Sequence, residues 1–339
     1  MNRKPSMFDV AAHCGVSHQT VSRVINGNPN VSAKTRAKVL AAIDELGYQQ
    51  NLSAKALATG RTQTLGVLSF DSTLYGPTAM LHSIQVAARD RGYRVVLNSV
   101  EEISNRAIAE GINALSTSAV DGILVIAPRS SDESEPLVFT PRVPVLFREV
   151  QNGESFAVVD IDQRAAARLA TSHLISLGHK NTGHISGPAS WLTAERRADG
   201  WRQALAEAGL PEGPVAEGDW TPASGYAAAK QLIQKRLSGE ADFTAVFVAN
   251  DAMALGALRA FSEAGLRVPG QISVIGFDDA AESGYSMPSL STVRQDFDTV
   301  GADLLEILLH QVEQPGSAVL TASMLVAGEL VVRESTSRV

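Results

Sequence analysis

Apolar positions along the chain follow two different periods, and the change falls near residue 63. Before it, Val10, Ala11, Val16, Val21, Val24, Val39 and Ile43 recur at helical spacings, which predicts three short amphipathic helices sharing one small core. Ser6 is placed to cap MFDVAAHCG, Ser17 to cap HQTVSRVIN, and Ser32 to cap AKTRAKVLAAIDELG, which Gly47 ends. Cys14-Gly15-Val16-Ser17 is a turn short enough to hold the first two helices at a steep angle, with Gly15 free to take a positive φ. The pattern predicts a helix-turn-helix over 1–49. NLSAKALATG follows, a segment of good helix formers too short to hold a helix alone in water, so 50–61 is expected to be a conditional hinge helix.

From Thr64 onward, continuous Val/Ile/Leu runs alternate with amphipathic stretches. TLGVLSF, YRVVLNSV, DGILVIAP, VPVLFREV and FAVVDID form one series; TGHISG, a weak candidate near Val215, TAVFVAN and QISVIGFDD form another. Runs of this kind predict parallel strands covered on both faces, hence an α/β body of two doubly wound lobes. The expected lobes are about 62–161 with 292–324, and about 162–291 with 325–335. Ligands of such sheets bind beyond the carboxyl ends of the strands, where Asp160, Asp162, Asn250, Asp251, Asp278 and Asp279 fall. The cleft between the lobes is the expected site.

Charge sharpens the division. Residues 1–61 hold eight Lys or Arg against three Asp or Glu, a net of +5, whereas the rest of the chain carries 21 basic and 33 acidic residues. A basic head on an acidic body suits docking of the head alone on a polyanion. No apolar run is long enough to span a bilayer, and the basic N-terminus leads into no apolar signal core, so a cytoplasmic location is expected. A single cysteine, Cys14, rules out an internal disulfide.

VSHQTVSRVING, VSAKTRAKVLAAIDELGY, VANDAMALGALRA, GLRVPGQISVIGFDD and LSTVRQDF, five motifs in order, resemble the lactose-repressor (LacI/GalR-type) family of transcriptional regulators through nearly the whole chain, to about Ser335. The resemblance implies a periplasmic-binding-protein-like body and a repressor that binds operator DNA as a homodimer. The heptad-patterned C-terminal extension through which some members tetramerise is not found before the chain ends at VVRESTSRV. Helix geometry and family agree on the DNA-reading set. His18 and Gln19 stand at the start of the second helix, with Arg23 four residues beyond Gln19 on the same face. Gln suits adenine and Arg suits guanine. Ser17, Thr20, Ser22 and Asn26 are short donors fit for phosphates. In the hinge, Leu57 matches the family's minor-groove wedge and shares a face with Ala54. His18 stands where the resemblance leads one to expect tyrosine, which bears on the operator sequence.

The same resemblance places Arg197, Trp220, Asn250, Asp278, Gln295 and Phe297 around a sugar or glycoside effector, with Leu74 and Pro77 nearby. Their chemistry fits: carboxylate, amide and guanidinium groups bond vicinal hydroxyls, and an indole covers the apolar face of a pyranose. Glu149 replaces an expected aspartate, Phe70 a serine and Ile126 an asparagine, so the pocket floor is expected to be less polar. Effector binding is expected to release the operator by moving the lobes and unfolding the hinge, with induction favoured over co-repression. His173, His179 and His184 span a helix end and a strand start and do not form a metal set; GHISG lacks the glycine of a nucleophile elbow; no phosphate-binding Gly-rich loop is present. Neither cofactor nor catalytic residue is expected. The competing readings are a sugar-binding transport component, a repressor responding to a purine or nucleoside, and a sugar enzyme.

Overall fold

The computed structural model describes residues 5–49, 56, 60–70, 73–130, 136–149, 158–314 and 323–339. The chain divides into two compact units, Met1–Thr62 and Gln63–Val339. In the first, α1 (Met7–Cys14), α2 (His18–Ile25) and α3 (Ala33–Leu46) each begin at the expected serine, whose hydroxyl accepts the amide three residues on. Satisfying an amide that the helix cannot is worth about 1 kcal/mol per cap. At Ser6 the cap is reciprocal, because the Asp9 carboxylate accepts the Ser6 amide at 2.7 Å. Gly15 ends α1 at φ 63° and lets the chain turn directly into α2. Val10, Ala11, Val21, Val24 and Val39 form the core as expected, and Cys14 and Ala42 join them, fully enclosed. Of the hinge, Ala56, Gly60 and Arg61 are described, and the Gly60 N–H donates to the Ala56 carbonyl at 2.8 Å. Ala54 and Leu57 lie outside the described residues.

The second unit holds two parallel sheets. One contains β1 (Thr64–Phe70), β2 (Arg94–Val100), β3 (Gly122–Val125), β4 (Val145–Phe147), β5 (Val158–Ile161) and β11 (Ser323–Val326), in the order β11-β5-β4-β3-β1-β2. The other contains β6 (Thr182–Ser186), β7 (Val215–Glu217), β8 (Ala245–Val248) and β9 (Ser273–Ile275), in the order β7-β6-β8-β9. The weak strand candidate near Val215 is therefore real; it is an edge strand, which explains its thin pattern. Helices α4 (Tyr75–Asp90), α5 (Asn105–Thr117) and α10 (Phe297–Glu313) cover the first sheet; α6 (Gln163–Ser176), α7 (Leu192–Glu207), α8 (Pro222–Leu237) and α9 (Asp251–Glu263) cover the second. Strands β1, β3, β8 and β9 are buried on both faces, as their continuous apolar runs require, while the edge strand β2 stays largely exposed.

The chain passes between lobes three times: from β5 into α6, from β10 (Thr292–Arg294) into α10, and from β11 to β12 (Glu329–Val331). Strands β10 and β12 pair antiparallel and form a two-stranded tie beside the crossings. The first sheet keeps the chain through Val326, because β11 runs in register with β5 to Ile161. Asp162 and Asp296 cap the helices that begin at the first two crossings.

Candidate functional site

On α2, His18, Gln19, Arg23 and Asn26 are exposed while Val21 and Val24 face the core. Gln19 and Arg23 thus project from one solvent face, one turn apart. Ser17 and Thr20 share a hydroxyl bond of 2.9 Å, and the Asn26 amide donates to the Ser22 hydroxyl at 3.3 Å. These short side chains are ordered locally and retain bonding capacity for an outside partner. His18 stacks on Phe8, with ring centroids 5.1 Å apart and planes 20° from parallel. That contact was not visible in the sequence, because the angle between α1 and α2 sets it.

The second unit holds a partly open chamber at the carboxyl ends of its strands, of about 50 Å³. Leu74, Pro77, Glu149, Arg197, Trp220, Asn250, Asp278, Gln295 and Phe297 all line it. Phe70 does not. Its ring packs edge-on against Trp191 at 5.5 Å, and Trp191 is the residue that reaches the chamber. Ile126 lies in the apolar core of the first lobe. The position where a hydroxyl was expected therefore acts through a neighbour rather than by facing a ligand. Tyr75, Arg148, Trp191 and Thr193 line the chamber without having been singled out. For Arg148 a signal existed, a charge closing the apolar strand VPVLF.

The chamber's polar groups are tied to one another. Arg197 Nε donates to Gln163 Oε1 at 2.8 Å, Gln163 Nε2 to Gln295 Oε1 at 2.9 Å, and Gln295 Nε2 to Asp278 Oδ1 at 2.6 Å. Arg197 Nη1 closes the ring 3.7 Å from the same Asp278 oxygen. This loop joins two of the three crossings, because Gln163 opens α6 and Gln295 follows β10. Burial pushes the Asp278 carboxyl up to about 7, with Asp251 adding to the push and Arg197 opposing it. Burial likewise lowers the Arg197 guanidinium. The guanidinium carbon sits 3.9 Å over the Phe277 ring, an aromatic floor that partly replaces lost hydration.

Backbone strain marks the same place. Trp220 (φ 74°) and Asp278 (φ 125°) adopt conformations that side-chain-bearing residues rarely take. Trp220 is flanked by Trp191 in an edge contact at 5.6 Å, and its carbonyl accepts from Asn250 Nδ2 at 3.0 Å. Gly187 lies flat under the indole, where a Cβ would overlap the ring. Asp279 is held by both Arg294 and Arg333, so it anchors the loop rather than facing the chamber.

A second charged group spans the lobes. Arg148 Nε bonds Asp160 Oδ1 at 2.8 Å, both buried, and Glu149 Oε2 accepts the Arg129 amide at 3.0 Å. Arg196 of α7 reaches across to Glu149 Oε1 at 3.6 Å and Asp160 Oδ2 at 4.0 Å, two buried oxygens that take no hydrogen bond among the described residues. Burial raises the Glu149 carboxyl. The three histidines of the 173–184 stretch are occupied separately: His173 by Thr336, His179 by Thr244 and Ser273, His184 by the Phe247 carbonyl between the rings of Trp201 and Phe247. Burial drops His184 to about 4, so it is neutral near pH 7.

Residues 6–51 match the model of the bacterial regulatory proteins of the lacI family, and residues 171–336 that of a periplasmic binding protein-like domain. The lactose operon repressor of Escherichia coli (strain K12) is 35% identical over 332 residues, which cover 98% of this chain and 90% of that protein. A crystal structure of the lac repressor dimer bound to operator and the anti-inducer ONPF superimposes with a TM-score of 0.84 at 34% identity, covering 99% of this chain and all of that one. A complex of the transcriptional regulator CelR with cellobiose gives 0.71 at 31% identity, covering 98% and 99%. Capped helix-turn-helix, two lobes crossed three times and identity along nearly the full chain lead to one conclusion: the protein belongs to the lacI family of bacterial regulatory proteins.

Proposed function

We propose that this protein is a sequence-specific transcriptional repressor of carbohydrate-utilisation genes, acting in the cytoplasm as a homodimer on operator DNA and released by a sugar or glycoside bound between its lobes. The observation that carries the reading is the chamber itself: a closed loop of Arg197, Gln163, Gln295 and Asp278 beside Trp220. Directional donors and acceptors next to an indole face match a pyranose, with its equatorial hydroxyls and apolar faces. Asp278 is anchored by Gln295 and Arg197, which orients it to accept a hydroxyl rather than to attack a bond, so the site reads as binding and not catalysis. On the DNA, Gln19 and Arg23 read bases while Ser17, Thr20, Ser22 and Asn26 hold phosphates. The lac repressor's structure with operator and ONPF, and CelR's with cellobiose, support both halves.

The chamber, about 50 Å³, adjoins a cleft of about 640 Å³ that shares Leu74, Tyr75, Trp220, Asn250 and Asp278 with it, so a pyranose seated there meets the polar loop. Hydroxyls then compete for the bonds that join the crossings and for Glu149 and Asp160 opposite Arg196. A shift of the lobes that this competition brings about is passed to the head through 50–61. Calorimetric titration against mono- and disaccharides, nucleosides and purines, followed by operator gel shifts with the tightest binder, tests the reading. A sugar that binds and releases operator is the expected result; binding confined to purines or nucleosides overturns the sugar assignment.

A further inference from the structure

Phe8, the second residue of α1, is 68% exposed. It does not belong to the head's core, which α1 supplies through Val10, Ala11 and Cys14. What its ring meets is the imidazole of His18, face to face at 5.1 Å and 20°. His18 is the first residue of α2, directly after the Ser17 cap and directly before Gln19. An exposed histidine ordinarily turns about its outer torsion over a broad range. A near-parallel partner removes that freedom and sends both ring nitrogens to the edge of the pair. Neither nitrogen takes a hydrogen bond among the described residues, in contrast to His13, whose Nε2 is held by Glu45 at 3.1 Å.

We infer that Phe8 is a specificity-determining residue that works by positioning: its stack on His18 fixes the imidazole edge so that one N–H donates to an acceptor on a major-groove base edge, of the guanine O6 or N7 kind, at the base pair beside the one Gln19 reads. Phe8 itself touches no base. The inference rests on the proposed operator binding. It adds that the base preference at one position is set by a pair of rings on two helices, one of which lies outside the reading helix.

The test uses the full-length protein and duplexes selected from random DNA by the wild type, with each base pair then varied singly. Phe8→Ala and His18→Ala should flatten the preference at the same base pair, by roughly 3- to 10-fold, the scale of one aromatic contact. The double variant should lose no more than His18→Ala alone. Preference at the Arg23 position and affinity for random DNA should stand, which also reports that the head is folded. Phe8→Tyr should restore the preference, and Phe8→Leu, which keeps apolar bulk without a ring face, should not. Losses that add, a changed preference at a different base pair, or equal weakening on every sequence would overturn the inference while leaving operator binding intact. A wild type with no base preference anywhere would overturn it together with the proposed function.

Discussion

The head and the chamber both recognise through polar side chains, but they prepare them in opposite ways. On α2 the recognising groups stand in water, each bonded at most to a near neighbour in sequence, and the helix is formed by its own cap and a small apolar core. In the chamber Arg197, Asp278 and Gln295 are buried, bonded to one another across long stretches of chain, and set on a strained backbone. A flat exposed surface gains its desolvation only when DNA arrives, so its affinity comes from many modest contacts. A buried loop of charges has already lost its water, so a ligand that completes it gains much and a mutation that opens it costs much. The head can therefore be tuned residue by residue. The chamber responds as a unit.

The strongest break of this contrast is Arg197→Ala. Removing the buried cation leaves Gln163 Oε1 without its donor and Asp278 without its counter-charge, and the body should lose about 3–5 kcal/mol by thermal or denaturant unfolding, while operator is still bound and sugar no longer releases it. Equal loss of operator binding would mean that the two regions are not separable. On the exposed side, Gln19→Ala and Arg23→Ala should each weaken specific DNA by about 1–3 kcal/mol and leave random DNA largely unaffected, read by gel shift on both. Smaller still is Ser17→Ala, which frees the Thr20 amide and should lower head stability by about 1 kcal/mol without altering chamber affinity.

A pH titration sharpens the comparison most finely. The Asp278 carboxyl, raised by burial from 3.8 to about 7, holds its proton in the folded chain where the unfolded chain has released it. Its contribution to stability is complete below the unfolded value and is lost as pH rises toward about 7. The body should therefore lose stability across that window, and Asp278→Asn should flatten the slope. Hydroxyls donate to the ionised form, so sugar affinity should climb as pH passes through about 7, with proton release visible by calorimetry in buffers of different ionisation enthalpy. A pH-independent affinity would assign the hydroxyl contact to another acceptor.

How much of this could be read from the chain follows the same contrast. The head was legible to its caps, because Ser6, Ser17 and Ser32 each act on an amide three residues away and Gly47 ends its own helix. The strands were legible because a sheet covered on both faces needs unbroken apolar runs. Within the chamber, Arg197, Trp220, Asn250, Asp278, Gln295 and Phe297 came from the family resemblance, and their meeting depends on three lobe crossings that no local pattern encodes. Trp191 escaped notice because it sits in a loop after Pro188, where an aromatic reads as surface, and its place depends on the Phe70 and Trp220 rings. Phe70 stands one layer behind the chamber, against Trp191, for the same reason. The ion group of Arg148, Asp160, Glu149 and Arg196 joins four residues from two lobes, and only Asp160 and Glu149 had drawn attention.

On the proposed function, filling the chamber and binding the operator oppose each other within one chain. The most direct test of this opposition is the operator dissociation constant of the wild-type protein, measured with and without a saturating amount of whichever sugar calorimetry identifies. Weakening is expected by the factor that a coupling of about 1–3 kcal/mol gives, roughly 5- to 150-fold, with the same factor in sugar affinity when operator is saturating. A sugar that binds the chamber tightly and leaves operator affinity unchanged would contradict it.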